Sequence, residues 1–131
     1  MSPLVLCWID YSIETPIVYE HAAALAHVLD ASLSLLYVLE APVTIDHPVY
    51  IDTLKQLADY QRRAKGSGIR TVKTAVRVGD VATQVVAAAL EYHAHTIVWG
   101  YERTNSLHTN GNNILDLLLR HTACSLYSIP L

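Results

Sequence analysis

The stretch Leu4-Val5-Leu6-Cys7-Trp8-Ile9, closed by Asp10, decides how the chain reads. Six consecutive apolar residues are too few for a helix of useful length, and they show no alternation. They suit a strand buried on both faces of a parallel sheet, where neither side meets water. A parallel neighbour needs a crossover, and the next segment supplies one. Thr15-Pro16 gives an N-cap and a first-turn proline, and Val18, Ala22, Leu25 and Leu29 then recur with helical spacing. Ser32 to Leu39, SLSLLYVL, reads as the second strand.

Beyond it the alternation continues. Pro42 to Pro48 reads as a loop, and residues 52 to 65 as a polar helix stopped by Gly66-Ser67-Gly68. Thr71 to Val78 sets Val72, Thr74, Val76 and Val78 against Lys73, Ala75 and Arg77, so one face is wetter and the strand belongs at a sheet edge. Gly79-Asp80 turns the chain into a helix from Val81 to Ala94. His95 to Trp99 makes a fourth strand ending in Gly100. A polar loop, Tyr101 to Asn113, leads to a helix from Ile114 to His121, and Ser125 to Ile129 forms the last strand before Pro130. Five strands alternating with four helices predict an α/β, Rossmann-like three-layer sandwich wound by right-handed crossovers. With no linker or internal repeat, residues 1 to 131 read as a single domain.

Composition narrows the function classes. The chain is 52% apolar and 16% charged, enough to bury a sizeable core without disulfides or a structural metal. A net charge of -3 argues against nucleic acid or an anionic membrane as partner. The low charge also suggests that some surface is covered by a second subunit. Cys7 and Cys124, 117 positions apart and each inside an apolar run, read as reduced, buried thiols. Without a signal peptide or a membrane-length apolar run, the expected location is the cytoplasm.

Chemistry in an open parallel sheet collects outside the carboxyl ends of the strands, where strand order reverses. Asp10 and Gly100 would meet there. The backbone amides of the loop after Gly100, and those opening the helix at Asn113 and Ile114, would face an anion. His93 and His95 lie too close to an element boundary to share one backbone geometry, so no metal is expected. His121 and Cys124 lack a visible third group to orient the histidine, and no motif of a hydrolase or P-loop enzyme is present.

Taken together, Leu4 to Asp10 with Ser12, the Ala-rich first helix, SLSLLYVL, Val78-Gly79-Asp80, HTIVWG and RHTACSLYSIP resemble the universal stress protein family, in the family's order and over essentially the whole chain. The resemblance implies a flavodoxin-like sheet of order 3-2-1-4-5, a dimer, and ATP held by glycines after the fourth strand. In that family pattern a glycine is followed after two residues by a second, and after nine more by a third with Ser or Thr behind it. Here Gly100 matches the first glycine, Arg103 replaces the second, and Asn112-Asn113 stand for the final pair in a loop one residue shorter, with Gly111 as a partial substitute. Asn tolerates positive φ, and Arg103 adds a guanidinium able to fork onto phosphate. The resemblance also places Asp10 beside the ligand and Val38 on the wall of an adenine pocket, although core packing is the weightier explanation of a lone valine.

The expectation is therefore a regulatory, stress-response dimer with weakened or absent nucleotide dependence, its protein partner unidentified. The alternative is a sensor that binds ATP or AMP, and slow ATP hydrolysis is the only enzymatic reading. The dimer is expected through Ser125, Leu126, Tyr127, Ser128 and Ile129, an uncharged edge that needs covering.

Overall fold

Five parallel strands lie in the order β3-β2-β1-β4-β5 in a computed structural model. It describes residues 3–10, 15–40, 44, 46–101 and 116–130, without the side chains of Tyr101 and Pro130. The elements are β1 (Leu4–Ile9), α1 (Thr15–Leu29), β2 (Ser32–Leu39), α2 (Pro48–Gly66), β3 (Val72–Val78), α3 (Val81–Glu91), β4 (Thr96–Tyr101), a helix α4 described over 116–121, and β5 (Ser125–Pro130). The flavodoxin-like arrangement expected from the sequence is thus the one observed, with β3 and β5 at the two edges.

The apolar run of β1 splits between two cores. Val5, Cys7 and Ile9 face α1 and α2, packing with Val18, Ala22 and Leu57, while Leu6 faces the other way with Leu36, Val85, Ile97 and Leu118. Each of these side chains is nearly or fully withdrawn from water, and burying one Leu or Ile contributes roughly 1.5–3 kcal/mol. Two layers of helix over one central strand explain why no polar residue interrupts positions 4 to 9.

Several boundaries differ from the sequence reading. α2 begins at Pro48, not residue 52, because a proline is already set for the first helical position and His47 Nδ1 accepts from Val49 N at 3.1 Å. Thr15 is the first residue of α1 and not its cap. α3 stops at Glu91, three residues early: Tyr92 caps it, His93 turns left-handed at φ 53°, and Ala94 N donates to Ala89 O at 3.0 Å. This is the job a glycine usually does, so the turn had no glycine to announce it. β4 starts at Thr96, one residue late, and runs to Tyr101, one residue past Gly100. β5 likewise includes Pro130. Cys7 is fully buried as expected, but Cys124 is only half-buried, its thiol donating to Ala94 O at 3.0 Å.

Candidate functional site

Ladder length singles out one place on the sheet. β1 pairs with β2 along its whole length, from Leu4 with Ser32 to Ile9 with Tyr37, and β4 pairs with β5 from Thr96 to Tyr101. Between β1 and β4 the pairing covers only Val5, Leu6 and Cys7 against Thr96, Ile97 and Val98. Past Cys7 and Val98 the two strands run on, to Ile9 and Tyr101, without pairing with each other. Strand order reverses between β1 and β4, and in an open parallel sheet the crevice outside the carboxyl ends of the strands lies at that point.

Asp10 and Gly100 stand on opposite sides of this crevice, as their positions in sequence imply. Asp10 is exposed at the end of β1, and Thr15 Oγ1 at the start of α1 donates to its Oδ1 at 3.5 Å. Gly100 lies opposite Ile129 of β5, beyond the last pair with β1. Val38 is 6% exposed and belongs to the core with Leu36, Val81 and Trp99. Arg103, Gly111, Asn112, Asn113 and Ile114 lie outside the described residues.

Tyr37 and Glu40 are additions that sequence reasoning missed. Tyr37 sits opposite Ile9 in the ladder, and its phenol is pushed up first by burial and then by the Asp10 and Glu40 carboxylates. Cys7 feels the same field, its thiol pushed up to about 12 by burial and secondarily by Asp10. The β1–β2 side of the crevice is thus acidic and suited to hydroxyl or amine donors, so an anionic group would have to lie on the β4 side. The signal was available in part: a tyrosine inside SLSLLYVL stands out, but only the register puts it beside Ile9.

The other chemical candidates are placed elsewhere. His93, His121 and Cys124 line one cavity of about 270 Å³ near the amino ends of the strands. His95 is turned to Thr96, with Nδ1 2.8 Å from its hydroxyl. Among the described residues no group of three His, Cys, Asp or Glu side chains could hold a metal ion. No described helix is long and apolar enough to cross a membrane.

Against known proteins, residues 1–130 match the model of the universal stress protein family. No curated protein matches the chain. Among solved structures, universal stress protein UspA from Lactobacillus plantarum is 22% identical, with a TM-score of 0.73 and 97% of each chain covered. The universal stress protein from Archaeoglobus fulgidus in complex with dAMP is 17% identical, with a TM-score of 0.73 over 98% of each chain. A universal stress protein in complex with cAMP is 16% identical, with a TM-score of 0.72 over 98% of this chain and 97% of the other.

Proposed function

Since this chain belongs to the universal stress protein family, we propose that it is a stress-response regulatory protein of the cytoplasm that works as a dimer with a weakened dependence on adenine nucleotide. The observation that carries the reading is the crevice left where the β1–β4 ladder stops at Cys7 and Val98. Asp10 offers a carboxylate there to a hydroxyl or amine, and Gly100 leaves its side of the crevice without a side chain. Weakening follows from the loop: Arg103 stands where the family has a glycine, so a long side chain hinders the close approach of the backbone to a phosphate even as it adds a cation. Nucleotide sensing proper is the second reading, favoured by the solved relatives that hold cAMP and dAMP.

Dimerisation rests on β5. It is an edge strand, residues 125 to 129 carry no charge, and Tyr127 is 47% exposed. Antiparallel pairing about a two-fold axis would cover both edges and close the assembly, while Pro130 would keep the added ladder short.

Calorimetry of nucleotide-free protein with ATP and AMP tests the proposal. Weak or no binding by both supports the leading reading, whereas tight binding that Gly100→Val and Asp10→Ala each abolish favours the sensor. Tight binding indifferent to both substitutions would show that the crevice is not the site.

A further inference from the structure

The far end of the sheet holds a different unsatisfied feature. A cavity of about 300 Å³ opens near the amino ends of β2 and β3, lined by Leu4, Ser34, Lys73, Ala75, Glu91 and Tyr92. Ser34 is only 6% exposed, and among the described residues its hydroxyl has no hydrogen-bond partner. It shares the sheet face of Leu36 and Val38, and on that face the cavity takes the place of a packed side chain. Other buried hydroxyls are engaged, as Thr15 is with Asp10 and Thr53 with Val49 O at 2.7 Å. A buried polar group left open in this way calls for an explanation, and a ligand is one.

The neighbours give that ligand a chemistry. Ser34 and Lys73 are partners in the β2–β3 register, so their side chains stand side by side on one face, about 4.8 Å apart along the sheet. Lys73 is exposed and in no ion pair among the described residues. Glu91 is already bound to Arg77, whose guanidinium also lies over the Tyr92 ring, 5.6 Å from its centre. The unspent charge at the mouth is therefore the Lys73 ammonium, and the walls from Leu4, Ala75 and Tyr92 are apolar. We propose that this cleft, where the buried Ser34 hydroxyl and the Lys73 ammonium stand together above apolar walls, binds a small carboxylate with an apolar body. One carboxylate would accept from Lys73 Nζ and Ser34 Oγ together while its body lies against Tyr92 and Leu4. The volume is at the lower limit of small-molecule sites, which fits a single ring or a short chain and excludes a nucleotide. The site is independent of the crevice at Asp10, which lies at the opposite end of β1.

The test is a titration of the full-length, ¹⁵N-labelled chain with benzoate and phenylacetate, with benzyl alcohol as the uncharged control. Saturable amide shifts are expected at Ser34, Lys73 to Ala75 and Tyr92, with Asp10 unmoved and the alcohol much weaker. Ser34→Ala should weaken benzoate about tenfold, the effect of one charge-assisted hydrogen bond, without lowering Tm, because an unpartnered hydroxyl contributes nothing to the fold. Lys73→Met should weaken it at least as much, and Ala75→Phe should fill the cleft and abolish binding. The proposal is overturned by the absence of saturable shifts at millimolar concentration of either acid, by shifts centred on Asp10, or by an affinity unchanged in Ser34→Ala. A lowered Tm in Ser34→Ala would also overturn it, since the hydroxyl would then have a partner within the fold.

Discussion

Cys7 offers a direct way to watch the crevice. It is the last β1 residue paired with β4, is fully buried, and has its thiol pushed up to about 12. Cysteine reagents attack the thiolate. At about pH 8 a free cysteine of pKa ~8.5 is roughly one-quarter thiolate, whereas a group at about 12 is thiolate in about one molecule in ten thousand. Ionisation alone should therefore slow labelling about two thousandfold, and burial against α1 excludes the reagent further. The perturbation is Cys124→Ser, which removes the half-buried thiol and leaves Cys7 as the only one. Stopped-flow labelling with a chromogenic disulfide should then proceed at a rate set by opening of the β1–β4 region, rising to that of a free cysteine in urea. A ligand that bridges β1 and β4 should slow it in proportion to occupancy, since it stabilises the closed state by mass action. Native labelling of Cys124→Ser within tenfold of a free cysteine would refute both the burial of β1 and its use as a reporter.

Three further outcomes can be measured. Asp80 caps α3 by accepting from Thr83 N at 2.9 Å and Thr83 Oγ1 at 2.8 Å, so Asp80→Ala should cost about 1 kcal/mol and lower Tm by roughly 3–6 °C in a thermal melt. Those two bonds, the backbone one first, hold the Asp80 carboxyl below its usual value; its contribution is present above the unfolded pKa of ~3.9 and is lost as pH falls through the folded value. The Tm difference between wild type and Asp80→Ala should therefore shrink on acidification, and a difference independent of pH would contradict it. Replacing Leu126 and Ser128 with Lys puts like charges across the proposed two-fold axis and should give monomers by light scattering; a wild-type monomer at high micromolar concentration, or a dimer indifferent to both lysines, would end the β5 proposal. If ATP binds, Arg103→Ala should weaken it at least about tenfold by calorimetry, the value of a charge-assisted hydrogen bond, and an unchanged or tighter affinity would show that Arg103 obstructs the pocket.

The order of elements was legible because burial on both faces leaves a mark in composition. Positions 4 to 9 admit no polar residue, positions 32 to 39 admit only two serines, and the alternation of Lys73 and Arg77 with valines announced an edge strand. Helix ends were less legible where the signal was unusual, as at Pro48, which begins α2, and at His93, which turns left-handed without being glycine. Of the site, Asp10 and Gly100 could be placed from sequence, since each follows or ends an apolar run and the winding rule brings those ends together. What the sequence could not contain is where the β1–β4 ladder stops, which side chain stands opposite Ile9, and that Ser34 has no partner among the described residues beside Lys73. Local sequence sets which residues leave water and with what period. Register and crossover geometry, which depend on segments 28 to 91 residues apart meeting in one sheet, decide which of those residues touch.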